Sequence, residues 1–166
     1  THFGYIKRVP ADTYRAQNRG GKGITGITTR DEDFVERVLV ANTHTDILFF
    51  TTKGKVFQLR CYQIPEAGRT AKGSAIVNLL NLDGGEKVTT VIALPEGEEN
   101  RENMNLVMAT KQGFIKKTAL SEYNIRKNGL IAIVLREGDE LVNVELSNGE
   151  NDVFVATNKG KAIRFE

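Results

Sequence analysis

The sequence predicts an all-β fold in which four-stranded blades are arranged radially, as in a propeller. A short motif, Thr-x-x-Gly between two apolar segments, occurs four times along the chain. Its copies are separated by roughly fifty residues, a spacing typical of propeller blades. No segment keeps the 3.6-residue apolar period of an amphipathic helix. Because one blade cannot cover its own apolar face, we expect neighbouring blades to stack against each other.

The first element of each repeat is a tight hairpin turn. The four copies begin at Thr1, Thr51, Thr110 and Thr157. The motif glycines are Gly4, Gly54, Gly113 and Gly160, at intervals of 50, 59 and 47 residues. Glycine can adopt the positive φ that such turns require. Two antiparallel strands should therefore flank each turn, as in 46–50 and 55–59.

Two further elements complete the repeat. A basic loop ending in glycine leads into an apolar run, which predicts strands within 24–27, 74–80 and 130–135. A closing strand is predicted in 33–41, 86–94 and 139–147, where Val38, Val91 and Val144 take matching places. One domain, 1–166, then divides into units of roughly 1–45, 46–104 and 105–151 and a partial unit, 152–166. Three units alone would leave two blade faces uncovered.

Charge is sorted by position within the repeat. The segments that run from each turn to each basic loop are 1–23, 53–73, 111–129 and 159–166. They contain 18 of the 23 Lys and Arg residues but only four of the 21 Asp and Glu residues, although the net charge is only +2. Equivalent positions fall on the same face of successive blades, so the cations should form a curved basic band.

The basic band has more than one interpretation. A cluster of charges is often only a solvated surface. A continuous band is also typical of a surface that binds a polyanion, because neutralised phosphates release counterions. An acidic protein partner is a third possibility. Tyr14, Tyr62 and Tyr123 lie within the basic segments, where they could stack on or donate to a nucleic acid, or pack beneath the loops.

The sequence argues against an enzyme active site within this chain. Gly21–Gly26 matches G-x-G-x-x-G, but no helix pattern follows, as dinucleotide binding requires. Residues 68–74 resemble a phosphate-binding loop in composition, but the lysine precedes the glycine and the spacing is wrong. His2 and His44 lack zinc-ligand spacing, and no serine lies in a nucleophile motif. The acidic stretch 31–33 is expected to be a solvated turn rather than a calcium loop.

Two features bear on location. Cys61 is the only cysteine, which suits a reducing cytoplasm because it cannot form an internal disulfide. The longest apolar runs have the length of a strand and are too short to span a membrane. No secretory signal is visible. We therefore expect a cytoplasmic protein without a membrane partner.

The first basic loop carries a resemblance to a known family. Gln17-Asn18-Arg19-Gly20-Gly21-Lys22-Gly23 resembles the box Gln-(Arg/Lys)-Arg-Gly-Gly-Lys-Gly of the DNA gyrase A subunit family. The surrounding segments YRAQNRGGKG, VLVANTHTDILFF, YQIPEAGRTAKGSAIVNLL and GDELVNVELSNGEND agree, so the resemblance covers the whole chain. Asn18 stands where the family has Arg or Lys, which implies one fewer phosphate contact.

The resemblance implies a fold and a function. The C-terminal domain of that family is a β-pinwheel, a propeller-like ring of six blades that exchange strands with their neighbours. Its basic perimeter wraps duplex DNA, and this enables the parent gyrase, a type II topoisomerase, to introduce negative supercoils with ATP. The present chain would supply three blades and part of a fourth. The pinwheel of topoisomerase IV is the alternative family member, although its box is degenerate or absent.

The resemblance also implies partners and site residues. The gyrase B subunit, together with the remainder of the gyrase A subunit, would carry the catalytic residues, the ATP site and the magnesium site, so this chain would need no cofactor. The nucleoid is the implied location, and uncovered blade faces could lead to self-association. The DNA-binding residues would be Gln17, Asn18, Arg19, Gly20, Gly21, Lys22 and Gly23 in the box, Arg15, Arg69, Lys72, Arg126 and Lys127 as loop cations, and Lys7, Arg8, Lys116 and Lys117 as extensions of the band.

Overall fold

The all-β prediction is confirmed by a computed structural model, which describes residues 1–14, 19–20, 27, 29, 32–123, 125 and 129–166. Within these residues there are eleven strands, four 3-10 helices and no α-helix, and none of the helices could cross a bilayer. The strands are β1 (Tyr5–Ile6), β2 (Asp46–Thr51), β3 (Lys55–Arg60), β4 (Ser74–Ala75), β5 (Val88–Ala93), β6 (Asn105–Thr110), β7 (Ile115–Ala119), β8 (Leu130–Ile131), β9 (Leu141–Ser147), β10 (Val153–Ala156) and β11 (Ala162–Phe165). The 3-10 helices are Ala11–Thr13, Cys61–Gln63, Ile76–Asn78 and Leu120–Glu122.

All four Thr-x-x-Gly segments form the same turn, as predicted. In each copy the glycine N–H donates to the threonine carbonyl at 2.9–3.0 Å. The four glycines have φ between 74° and 89°, the region that disfavours residues with a Cβ. The threonine hydroxyl accepts the N–H of the residue four positions later, at 3.2 Å in every copy. The same hydrogen-bonded turn therefore recurs four times along the chain.

A buried carboxylate completes three of these turns. The Thr51 hydroxyl donates to Glu86, whose exposed fraction is 5%. Asp139 stands in the equivalent place beside Thr110, and it accepts two backbone N–H groups at 2.9 Å. Asp33 does the same in the first unit, with two N–H donors at 2.9 and 3.0 Å. The expected solvated turn is therefore wrong for Asp33, because these bonds hold it in a buried position.

The middle sheet contains four strands in the order β5-β2-β3-β8. Both faces of β2 are buried, with Leu48 and Phe50 on one side and Ile47 and Phe49 on the other. The first pair packs in a core cluster that reaches β6 and β9, and the second pair packs towards β1 and residues 76–80. Neighbouring units therefore cover the two apolar faces of this sheet, as stacked blades do.

Strands are exchanged between consecutive units. β4 follows the second basic loop but pairs with β1 of the first unit, with Tyr5 opposite Ala75. β8 follows the third basic loop and pairs with β3 of the second unit, with Lys55 opposite Ile131. The unit boundaries stay predictions, but each of these basic loops leads directly into a strand that belongs to the preceding sheet.

The sheets meet at β5 and β9. The hydroxyl of Thr89 donates to the Val142 carbonyl at 2.8 Å, and Thr90 bonds Asn143 at 3.2 Å. The second of these sheets has the order β7-β6-β9. In the four-stranded sheet, β5 and β8 form opposite edges. The chain after β8 also contacts the second sheet, because the Ala132 carbonyl accepts hydrogen bonds from Lys116 and Tyr123.

Three predicted strands differ from the structure. Residues 33–41 form no strand, and Val38 is 81% exposed, unlike its counterpart Val144, which is fully buried. The described residues offer this segment no partner strand. In 74–80 and 130–135 the strands end at Ala75 and Ile131. The first run instead turns into a 3-10 helix, which brings Ile76 and Leu80 into the core.

Candidate nucleic-acid interface

The second basic loop, 68–73, is described throughout and carries two exposed cations. Arg69 and Lys72 are both exposed, and neither forms an ion pair with any residue that the structure describes. The loop ends at Gly73, whose φ is +83°. A Cβ at Gly73 would lie 2.9 Å from the Cβ of Lys7, so this backbone packs tightly on the preceding unit. The end of the loop that carries these two cations is therefore held in place by the preceding unit.

Only part of the other two loops can be compared with this one. Arg19 and Gly20 are exposed, and the φ of Gly20 is +83°. The remaining predicted loop residues lie outside the described residues: Arg15, Gln17, Asn18, Gly21, Lys22, Gly23, Arg126 and Lys127. In the third loop, Gly129 has the same φ as Gly73, so the glycines that end these two loops have the same conformation.

The predicted extensions of the band fall into two groups. Lys117 is exposed and forms no ion pair within the described part of the chain. Lys116 donates to the Ala132 carbonyl at 3.2 Å. Arg8 forms an ion pair with Glu66 at 2.9 Å. Lys7 donates to backbone carbonyls, and burial lowers its pKa. Whether any of these residues contacts DNA stays a prediction.

Several cations in the basic segments are paired within the protein. The Lys55 ammonium lies 2.8 Å from Asp83, and this hydrogen bond raises the pKa of Lys55 and lowers that of Asp83. Arg60 lies 3.0 Å from the buried carboxylate of Asp46, which Arg101 also contacts at 3.0 Å. The ion pair of Arg60 with Asp46 was not predicted, because only the register of β2 with β3 brings these two distant positions together.

A polar cleft adjoins this pairing. It has a volume of about 430 Å³ and is lined by His44, Arg60, Glu96 and Arg101, among others. Glu96 accepts hydrogen bonds from nearby side chains, so acid and base are mixed in the cleft. Within the described residues there is no group of His, Cys, Asp and Glu that could hold a metal ion. The cleft differs from the loop around Arg69 in this mixture of charges.

The three tyrosines have different surroundings. Tyr62 is 53% exposed, and its ring makes an edge-to-face contact with the His44 ring at a centroid distance of 5.7 Å. Tyr14 is 47% exposed. The Tyr123 hydroxyl donates to the Ala132 carbonyl at 2.9 Å, and its ring packs on the core. Tyr123 therefore matches the packing interpretation, whereas the rings of Tyr14 and Tyr62 are accessible from solvent.

The family model described as "DNA gyrase C-terminal domain, beta-propeller" matches residues 1–42, 45–95, 105–148 and 151–166. The chain belongs to this family. The A subunit of DNA gyrase from Clostridium acetobutylicum is 55% identical over 166 residues, and that from Halalkalibacterium halodurans is 53% identical. Both alignments cover 99% of this chain and 20% of the relative, so the chain spans about a fifth of the relatives' length.

Solved structures of the same kind share the fold. The C-terminal domain of DNA topoisomerase IV superimposes with a TM-score of 0.79 and 29% identity, covering 99% of this chain and 49% of that one. The DNA gyrase A C-terminal domain gives a TM-score of 0.69 with 25% identity, covering 98% and 51%. The predicted β-pinwheel is thereby confirmed. In this chain, β4 and β8 are the strands that pair with the sheet of the preceding unit.

Proposed function

We propose that this chain binds duplex DNA on its basic loops and wraps it around the blade perimeter. The observation that carries the proposal is the loop 68–73, where Arg69 and Lys72 are exposed and unpaired among the described residues. The loop joins two units through the β1–β4 pairing. Membership of the gyrase C-terminal domain family supports the same conclusion.

The mechanism is electrostatic and depends on the shape of the duplex. Cations at equivalent positions in successive units neutralise phosphates along a curved path, and the released counterions favour binding. The glycines of the box 17–23 allow backbone N–H groups to approach a phosphate closely. Contacts of this kind carry little base specificity, so we expect preference to follow DNA deformability rather than sequence.

The parent protein would be a DNA gyrase, an ATP-dependent type II topoisomerase. Its catalytic residues, ATP site and magnesium site would lie outside this chain, in the gyrase B subunit or elsewhere in the gyrase A subunit. The 46–55% identity to gyrase A subunits supports this assignment. In that setting the chain would act at the nucleoid, and wrapping would give strand passage the direction that introduces negative supercoils.

Topoisomerase IV is the second candidate, and the TM-score of 0.79 to its C-terminal domain favours it. The box at 17–23, which departs from the family pattern only at Asn18, favours gyrase instead. Relaxed plasmid and ATP separate the two. A gyrase produces negatively supercoiled plasmid, whereas a protein that only relaxes or decatenates DNA leaves the relaxed plasmid unchanged.

A salt titration tests the DNA assignment. We expect the logarithm of the affinity for duplex DNA to fall linearly with the logarithm of salt concentration, with a slope of about −0.9 per phosphate contact. Lys22→Ala should make this slope shallower by about 0.9. Lys87→Ala, at an exposed lysine outside the basic segments, is the matched control and should leave the slope unchanged. An unchanged slope in Lys22→Ala would contradict the assignment of that phosphate contact.

A further inference from the structure

Lys7 lies at the junction between the first unit and the basic loop of the second. It directly follows β1, whose partner β4 directly follows the loop 68–73. The backbone of the next residue, Arg8, bonds Pro65 and Ala67 at 3.0 and 3.1 Å. Both ends of the basic loop are therefore attached to the same short stretch of the preceding unit.

The Lys7 ammonium contacts the loop from within this junction. It donates to the carbonyl oxygens of Gly68 at 3.1 Å and Ala71 at 3.0 Å, and also to that of Arg69. The Ala71 N–H donates to the Gly68 carbonyl at 3.0 Å, which closes a turn around the same group. An ammonium has three N–H donors, so these three carbonyls account for all of them.

This arrangement differs from that of a phosphate-contacting lysine. A lysine that binds a phosphate must direct at least one N–H donor towards it. The three N–H donors of Lys7 already have carbonyl partners in the loop. The side chains that are free to meet an anion are those of Arg69 and Lys72, which the same loop exposes.

The corresponding position in the second unit makes a related contact. Phe57 stands three residues after the motif glycine, as Lys7 does in the first unit. A Cβ on Gly129, the last residue of the third loop, would lie 2.7 Å from the Phe57 ring. In both units this position therefore contacts the loop of the following unit, but only Lys7 does so with a charge.

We propose that Lys7 is a positioning residue that holds the loop 68–73 so that Arg69 and Lys72 can bind DNA phosphates. The proposal rests on the proposed function where it assigns Arg69 and Lys72 to DNA phosphates. The contact between Lys7 and the loop does not depend on it. Lys7 then contributes to DNA binding through the loop rather than through its own charge. The predicted direct contact of Lys7 with DNA is replaced by this indirect role.

The first test needs no DNA. Limited trypsin digestion of the intact protein that carries this chain, followed by mass spectrometry, reports cleavage after Arg69 and Lys72. Lys7→Met keeps the side-chain length but removes the donors, so cleavage at these two bonds should accelerate by about tenfold or more as the loop opens locally. The control Lys87→Met should leave the rate unchanged. An unchanged rate in Lys7→Met would overturn the proposal.

Lys7→Arg separates geometry from charge. The planar guanidinium keeps the charge, but its fixed fork cannot bring its donors to the three converging carbonyls in the same way. We expect faster cleavage of the loop in this variant than in the wild type, and weaker DNA binding. Wild-type behaviour in both measurements would overturn the proposal. This variant also decides the question if Lys7→Met proves too unstable to assay.

The second test is a double-mutant cycle on duplex DNA affinity. Lys7→Met should weaken binding in the wild type but have no further effect in an Arg69→Ala, Lys72→Ala background, because the loop then has no cations to position. An independent loss in that background, with the salt slope shallower by about 0.9, would identify Lys7 as a direct phosphate contact and overturn the proposal.

The two tests also separate this proposal from the proposed function. If Arg69→Ala, Lys72→Ala leaves DNA binding unchanged, the phosphate assignment for this loop fails, and with it the positioning role. Faster cleavage in Lys7→Met would then show only that Lys7 stabilises the loop. If the double substitution weakens binding but Lys7→Met changes neither cleavage nor affinity, the proposed function stands and the role of Lys7 fails.

Discussion

Charged side chains of the same type differ sharply in their partners in this chain. Arg69 is exposed without an ion pair in the described residues, whereas Arg60 contacts the buried Asp46 at 3.0 Å. The sequence shows both only as cations in a basic segment. Their roles depend on strand register, because the β2–β3 pairing brings Asp46 opposite Arg60. The charge of a side chain can be read from the sequence. Whether that side chain is free to bind an anion depends on the fold.

Asp139 illustrates how a buried carboxylate couples folding to pH. Burial alone would raise its pKa, but hydrogen bonds from Thr110 and from the N–H groups of Gln112 and Glu140 outweigh this and lower it. The ordinary value in an unfolded chain is about 3.9. Because the folded value is lower, the stabilisation is complete above about pH 4 and is lost as pH falls through the folded pKa.

We therefore expect the urea midpoint of unfolding to fall as the pH is lowered from about 4 towards about 2. Asp139→Asn should lower the midpoint at about pH 7 and reduce its dependence on acid pH, because the ionised group is gone. Glu150→Gln, at an exposed acid, is the control and should behave as the wild type. Equal acid dependence in Asp139→Asn and the wild type would contradict this explanation.

At the scale of the element, the turns could be predicted from the residues, whereas the strand exchange followed only from the family resemblance. Thr-x-x-Gly specifies its turn through a glycine with positive φ and a threonine hydroxyl, both visible in the sequence. The pairing of β4 with β1 joins distant parts of the chain, with Tyr5 opposite Ala75, and nothing local encodes it. The apolar run 74–80 was predicted as one strand, but tertiary packing draws its middle part into a 3-10 helix.

The turn threonines should differ in energetic importance. Thr51 is fully buried, and its hydroxyl bonds both Glu86 and the Lys55 N–H. Thr51→Val leaves the buried carboxylate without that donor and should cost about 1–3 kcal/mol of unfolding free energy. The equivalent Thr157 is exposed, so Thr157→Val should change stability by less than about 0.5 kcal/mol. Equal effects in chemical denaturation would contradict the buried-acid explanation.

The motif glycines provide a second comparison. Gly54 and Gly160 have φ of 75° and 74°, so an alanine at either suffers the same backbone strain, about 1–2 kcal/mol. A Cβ at Gly54 would also lie 3.0 Å from the Ile133 side chain, whereas a Cβ at Gly160 meets open space. Gly54→Ala should therefore lower the melting temperature more than Gly160→Ala. Equal shifts would contradict close packing between units at this turn.

For the molecule as a whole, large apolar side chains remain exposed at several places in the described part of the chain. Val38 and Val40 are 81% and 91% exposed, and Phe154 and Ile163 on the β10–β11 hairpin are 68% and 61% exposed. The repeat count predicted uncovered faces, but it did not predict that 33–41 would form no strand. Surfaces of this kind promote association in solution.

We expect the chain to self-associate as its concentration rises, and light scattering measures this. Val38→Lys combined with Val40→Lys should shift the equilibrium towards the monomer, because the charges cannot be buried in a contact between copies. Val77→Lys, at another exposed valine, is the control. A strictly monomeric wild type at high concentration would contradict the prediction.

The central claim is that the basic loops wrap duplex DNA rather than merely bind it. Nicked plasmid sealed by ligase in the presence of the intact protein records wrapping as a change in linking number. We predict a shift of one consistent sign that grows with protein concentration and is lost in Arg69→Ala, Lys72→Ala. Saturating binding without any change in linking number would contradict the claim.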